Sequence, residues 1–276
     1  MKAENAQEIQ QRENVDKAFS AQAPNFDDYE KHNPILQWMR TMFYRHLSEF
    51  IHKGDSILDI NAGTGIDAMH FARLGHAVTA IDVAGGMVDM LKKKLERASL
   101  TNLVSVQQCS FTDLSPIHPK KFHHVISNFG GLNCVADLHP VADQIRQVLS
   151  PLGTVTLVIM PSICPWEIAH ALKGNFFLAF RRLRRNGVLA HVEGHYFKTY
   201  YHSPASVIRS FGNDFNVRKL RGLGTFTPPP YMDKFARRRP RLYSFLTALD
   251  ESFSLIPPLN RWADHFIITL QYQPSV

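Results

Sequence analysis

Residues 57–65 read Ile-Leu-Asp-Ile-Asn-Ala-Gly-Thr-Gly, and Asp82 follows seventeen positions after Gly65. The apolar run Ile57 to Ile60 ends abruptly in Asn61-Ala62-Gly63-Thr64-Gly65, and the pattern from Ile66 to Leu74 is helical. A strand, a glycine turn and a helix are therefore expected in succession, with glycines where the backbone must pass close beneath a ligand. A second apolar run, His76 to Ile81, ends in Asp82. An acid at the tip of a second strand can accept hydrogen bonds from both hydroxyls of a ribose. The stretch reads as a cradle for a nucleoside-bearing cofactor.

Gly63-Thr64-Gly65-Ile66-Asp67-Ala68 also fits the relaxed G-x-G-x-x-G/A dinucleotide pattern. The flanks point elsewhere. Ile57 to Gly65 resembles motif I of the class I S-adenosylmethionine-dependent methyltransferases, which reads hydrophobic-L-D-hydrophobic-x-x-G-x-G, with Asp59 in the place of that family's strand acid. More than fifty residues precede the motif, whereas dinucleotide domains often begin with it.

The chain has 276 residues, 45% of them hydrophobic, enough for one sizeable core with elaborations. No apolar run approaches the ~18 residues of a membrane span. The opening MKAENAQEIQQREN is polar and without a signal-peptide core, so a cytoplasmic protein is expected. Cys109, Cys134 and Cys164 are widely spaced and odd in number, which suggests neither disulfides nor a zinc site, and no metal is expected. Charge is uneven. Residues 163–249 hold fifteen Lys and Arg against four Asp and Glu, while the rest holds sixteen against twenty. That surplus is either a solvated basic face or an attraction for an anionic substrate or an acidic partner.

Helices are expected over 5–19, polar and mobile, and over 34–52, amphipathic with Asn33-Pro34 at its start. From residue 55 strands and helices alternate: strand 57–61, helix 65–75, strand 77–82, helix 87–98, strands 103–108 and 122–127, helix 137–149 and strand 153–160. Such alternation implies a parallel sheet with right-handed crossovers. Thereafter Pro165 opens a helix, 188–202 reads as extended structure turning near Gly194, and helix 204–212, strand 215–223 and strand 264–272 follow. The expected class is α/β: a Rossmann-like, doubly wound, seven-stranded sheet, mostly parallel, with helical and extended lid insertions. The resemblance adds that the last strand is antiparallel. Residues 1–53 would be helices covering the cofactor, 54–162 the S-adenosylmethionine-binding core, 163–203 a substrate lid, and 204–276 the end of the sheet with a second insertion at 227–261.

The resemblance implies S-adenosyl-L-methionine as cofactor and assigns positions to it. Gly63 and Gly65 would approach its methionine part, with Asn61, Ala62 and Thr64 lining the turn, and Asp82 would hold the ribose. Val83 and Met87 would flank the adenine. The family's acid that reads the adenine falls on Ser110, a departure from its common form, with the Phe111 N–H beside it. Phe26 falls near an aromatic that packs over the cofactor, with Tyr29 its neighbour. Asn128 and Phe129 end the fourth strand where that family faces the reacting methyl group, and Asn133 is a candidate cap for the next helix. Met87 and Phe26 could equally be core packing.

Methyl transfer needs alignment and removal of a proton. His191, His195 and His202 in the lid and His265 on the last strand are the candidate bases, although Asp264 and His265, adjacent on a strand, would point to opposite faces. Trp166, Phe180, Tyr196 and Tyr200 are candidate substrate contacts, with core packing as the plainer account. The expected function is methyl transfer to a small molecule, aromatic or acyl-bearing and in one version anionic, with oxygen preferred over nitrogen or carbon. The stretch Ser127 to Asn133 is not the D/N-P-P-Y/F signature of amino methylases acting on bases, which speaks against nucleic acid. An RNA or protein methyltransferase using the basic half, and a non-catalytic cofactor-binding partner, remain the alternatives.

Overall fold

A computed structural model describes residues 6–274. Its centre is a seven-stranded sheet. The strands are β1 (Ile57–Asp59), β2 (Val78–Asp82), β3 (Val104–Gln108), β4 (Phe122–Ser127), β5 (Leu149–Ile159), β8 (Phe215–Leu223) and β9 (His265–Tyr272), in the order β3-β2-β1-β4-β5-β9-β8. β9 runs antiparallel to both β5 and β8, and the pairings among β1 to β5 are parallel. Chain order reverses between β1 and β4, so the ligand crevice of such a sheet lies at their carboxyl ends.

Alternate strand residues feed two cores, as a pleated sheet buried on both faces requires. Leu58, Val125, Leu157 and Ile268 pack with α5 (His139–Val148) and α8 (Pro204–Phe211). Ile57, Ile126, Val158 and Ile267 pack with α2 (Pro34–Leu47), α3 (Ile66–Arg73) and α4 (Gly85–Ala98). Asn33 caps α2 through its side-chain oxygen, which accepts from the N–H groups of Ile35 and Leu36, and Pro34 occupies the position where a missing N–H costs nothing.

The amino-terminal helix differs most from expectation. α1 spans Ala6–His32, straight through Pro24, and it is docked, with Val15, Ala18 and Ala23 buried. Residue 5 lies outside the described residues. Pro24 has no N–H for the carbonyl of Ser20, four residues back. That carbonyl lies against the backbone of α4, 2.7 Å from where a side chain on Gly86 would begin. Gly86, in the first turn of α4, thus allows a proline-bearing helix to cross it closely.

Beyond β5 the chain adds α6 (Pro165–Ile168) and α7 (Phe176–Phe180), then a hairpin of β6 (Val188–Val192) and β7 (His195–Thr199). The hairpin turns at Glu193 and Gly194, both with positive φ, the conformation that matches strand twist. The second insertion holds α9 (Asp233–Arg238) and α10 (Pro240–Phe253). Among the described residues, no helix is long and apolar enough to cross a membrane.

One polar thread crosses the second core. The Nε2 of His46 lies 2.8 Å from the Thr269 hydroxyl, which lies 2.8 Å from that of Thr156. Burial, aided by Lys219 and Arg221, pushes the His46 imidazole down to about 3. The unfolded chain binds that proton near pH 6.5, the folded chain only near 3, so stability is lost as pH falls below 6.5. Replacing His46 by Gln, which keeps a partner for Thr269, is expected to shrink the loss of urea-unfolding free energy between pH 7 and 5 by roughly 2 kcal/mol. An unchanged pH profile would contradict this.

Candidate functional site

The turn after β1 is shaped by backbone donors and one acid. The two Asp82 carboxylate oxygens accept from Gly63 N–H at 2.8 Å and Ala84 N–H at 2.9 Å. Burial raises the Asp82 carboxyl above its ordinary range despite these donors. A carboxylate has about four acceptor sites, so two remain for ligand hydroxyls. Gly65, at φ +82°, caps α3, and a Cβ there would lie 2.0 Å from Leu91 Cδ1. Only glycine joins this turn to this helix packing.

The expected cofactor residues divide into three groups. Gly63, Phe26 and Met87 come together: a Cβ on Gly63 would be 4.0 Å from both Phe26 Cε1 and Met87 Sδ. Val83 and Ser110 line one cleft of about 380 Å³. The Ser110 hydroxyl bonds Thr112 at 2.7 Å, holding a local turn, and Phe111 packs against the core. The third group faces inward. Thr64 is fully buried and donates to Asp27. Asn128, 5% exposed, donates to Asp67 at 3.0 Å while its carbonyl oxygen accepts from Phe129 N–H at 2.8 Å. Asn61 donates to the backbone carbonyl of Asn128 at 2.7 Å, in space left by Gly131, and Ala62 packs against the core it borders.

The far wall of the cleft is α1, through Arg12, Glu13 and Asp16. Asp16 accepts from Gly85 N–H at 3.0 Å and from the Ser20 hydroxyl at 2.8 Å, and Ser20 accepts from Gly86 N–H at 2.9 Å. α4 begins at Ala84-Gly85-Gly86 without a capping side chain of its own. Its free N–H groups take their cap from a neighbouring helix. Sequence reasoning missed these α1 residues. The uncapped start of α4, facing an Asp16/Ser20 pair spaced for one helix face, was the available signal.

Two buried acids, Asp59 and Asp67, lie beneath the turn. Burial and then the charge of Asp67 push Asp59 well above the carboxylate range, and one of its oxygens has no partner. Burial alone would raise Asp67 too, but Arg40 and hydrogen bonds from Arg40, Tyr44 and Asn128 outweigh it and hold Asp67 below that range. Arg40 also pairs with Glu30 of α1 and lies 4.7 Å from the Phe129 ring centre. Phe129 itself sits at φ +48°, a left-handed conformation that a bulky residue adopts only when its surroundings impose it.

On the other side of Phe129 is His265, its ring edge-on at 6.5 Å between centres. Asp264 and His265 do not point apart. Asp264 precedes the first residue of β9, outside the pleat, and its Oδ2 lies 2.9 Å from His265 Nδ1. Burial would raise Asp264, but His265 and Arg182 hold it well below the usual range. Arg182 joins Asp264 at 2.6 Å to Glu167 at 2.8 Å, and Arg181 closes on Glu167 at 2.6 Å. Cys164 lies beside Glu167 and Asp264, but the guanidinium of Arg182 already fills the place of a cation there. The Cys164 thiol is pushed up to about 12 by burial.

The other candidates disperse. His191 is exposed on the hairpin beside Tyr196, rings 4.6 Å apart. His195 lies on the face carrying Phe197, which packs on Phe19 of α1 at 5.5 Å. His202, 8% exposed, meets the Val135 carbonyl at 3.0 Å, and burial lowers its imidazole. Trp166 donates to the Phe226 carbonyl at 3.0 Å and joins the two insertions by contact with Phe235. Phe180 and Tyr196 are exposed to solvent. Tyr200 is half-buried and bonds through its backbone to Asn133. Asn133 caps no helix; fully buried, it bonds Met160 and Tyr200 and stitches the end of β4 to the end of β5.

Removing Arg40 leaves Asp67 as a buried, unpaired charge beside Asp59. Arg40→Met is expected to lower urea-unfolding free energy by about 3–5 kcal/mol; a change below about 1 kcal/mol would show that the pair carries no such burden.

Residues 57–153 match a family model described as a methyltransferase domain. An uncharacterized protein of Synechococcus is 28% identical over 120 residues, which are 41% of this chain and 27% of that one, so the match spans about a quarter of the curated relative. Among solved structures, the [4+2]-cyclase SpnF overlays with TM-score 0.63 at 13% identity, covering 95% of this chain and 96% of its own. The CcbJ methyltransferase of Streptomyces caelestis overlays with TM-score 0.61 at 14% identity, covering 93% and 98%. Such low identity speaks for the fold alone, and a neighbour named for cyclisation shows that this fold hosts more than one chemistry. The family match over residues 57–153 and the sheet topology agree with the resemblance to class I S-adenosylmethionine-dependent methyltransferases that the sequence carries.

Proposed function

We propose that the protein transfers the methyl group of S-adenosylmethionine to a small acceptor, aromatic or acyl-bearing, with a hydroxyl oxygen as the preferred nucleophile. One observation carries the acceptor chemistry: the Asp264–His265 pair, 2.9 Å apart, set against Phe129 at the carboxyl edge of the sheet. The donor cradle is the Gly63–Gly65 turn, Asp82, and the cleft bordered by Val83, Ser110 and α1. S-adenosylmethionine supplies an already activated sulfonium methyl, so the residues have only to align the partners and remove a proton. Asp82, which has no cation paired with it among the described residues, leaves a carboxylate for the donor's hydroxyls.

In this reading His265 takes the acceptor proton on Nε2, while Asp264 accepts from Nδ1–H and stabilises the imidazolium that forms. Among the described residues Nε2 makes no hydrogen bond within the chain, and Arg182 fixes the far side of Asp264. Residues 163–203 and 227–261 act as cover over this edge, joined through Trp166 and Phe235. Arg181 and Arg182 are neutralised by Glu167 and Asp264, so an anionic acceptor would have to meet the outer arginines instead.

The test is release of S-adenosylhomocysteine from purified protein with a panel of phenols and acyl-chain alcohols. With an acceptor in hand, His265→Gln is expected to cut kcat by about 10²–10⁴-fold while leaving the KM for S-adenosylmethionine nearly unchanged. Full turnover by that variant would remove His265 from the role, and no turnover of any acceptor by protein that binds the donor would refute small-molecule methylation.

A further inference from the structure

The first insertion carries an apolar tip that, among the described residues, no part of the chain covers. Leu172 is 92% exposed, Phe176 62%, Phe177 58% and Leu183 57%. These are large side chains on consecutive short turns, and a soluble protein rarely exposes so many together unless they meet something. The stretch 168–185 contains no acid at all. Lys173, Arg184 and Arg185 are exposed among the apolar groups, and the Arg184 guanidinium lies over the Phe177 ring at 4.8 Å. The second insertion, held to the first through Trp166 and Phe235, adds exposed Arg238, Arg239 and Arg241 beside Phe245, itself 59% exposed.

We propose that this basic, aromatic tip docks the protein on an anionic phospholipid bilayer, the apolar side chains entering the headgroup boundary and the cations meeting lipid phosphates. The chemistry of the face selects this occupant. Rings as exposed as Phe176 and Phe177 suit a deformable apolar medium better than a shaped protein surface. Long cationic side chains interleaved with them can bury their stems while their charges stay at headgroup level. A run of cations without an acid is complementary to a negatively charged leaflet and not to a neutral one. The face lies on the insertions, outside the strands and helices that build the donor cradle.

Co-sedimentation with vesicles tests this without any cofactor or acceptor, so its outcome is separate from that of methyl transfer. The full chain is expected to pellet with equimolar phosphatidylglycerol–phosphatidylcholine vesicles and at least about tenfold less with phosphatidylcholine alone. Leu172→Ser/Phe176→Ser/Phe177→Ser and, separately, Arg184→Glu/Arg185→Glu are each expected to weaken pelleting about tenfold or more with an unchanged unfolding midpoint. Failure to pellet with anionic vesicles, equal binding to both vesicle types, or binding unaffected by both variants overturns the proposal. So does a dimer in sedimentation velocity that the triple serine variant dissolves while vesicle binding is absent, because the face would then be an interface between copies.

Discussion

The Asp82 carboxylate, accepting from Gly63 N–H, is the bond on which the rest of the site depends. It ties the tip of β2 to the turn that ends β1, and its other oxygen holds the start of α4. Both donors are backbone N–H groups of the turns that lead into α3 and α4, so the carboxylate satisfies them and fixes both turns at once. Because it uses only part of the acceptor capacity of the carboxylate, the same group that shapes the cradle can also serve its ligand. Burial that raises Asp82 also makes an incoming hydroxyl a favourable replacement for lost water.

Around that bond the molecule concentrates charge in a confined space. Asp59, Asp67 and Asp82 lie near one another, and Arg40 balances one of them. Arg40 also reaches Glu30, so the closing of α1 and α2 on the core is coupled to the electrostatics of the glycine turn. Its guanidinium meets the Phe129 ring, which the left-handed backbone presents towards His265. Strain and buried charge thus coincide at the carboxyl edge of the sheet, a pattern expected where geometry serves chemistry more than stability.

Much of this was legible in the sequence because it depends on local rules. The Ile57–Gly65 stretch, the alternation of strands and helices, and the sheet strands from 78 to 272 follow from period and turn chemistry. α1 was not legible beyond residue 19. Pro24 argues against a continuous helix, and only the crossing over Gly86 explains why one forms. Side-chain orientation at the site was likewise tertiary. Nothing in Asn128 predicts that Asp67 will claim its amide, and nothing in Asp264-His265 predicts that a strand beginning one residue late will turn the pair towards each other. The four candidate histidines are indistinguishable as letters; in the structure His265 meets a carboxylate, His202 a carbonyl and His191 solvent.

If the Asp82–Gly63 bond builds a seat for the adenosyl donor, isothermal titration of S-adenosylmethionine into wild-type protein and Asp82→Asn will register its loss. An amide in place of the carboxylate must turn an N–H towards one of the two backbone donors, so the turn loses a bond and the ribose loses an acceptor. The account predicts saturable binding to the wild type and a Kd at least about tenfold weaker in the variant, roughly 1.4 kcal/mol. Equal affinity in both proteins, or no saturable binding to the wild type at millimolar donor, would contradict it.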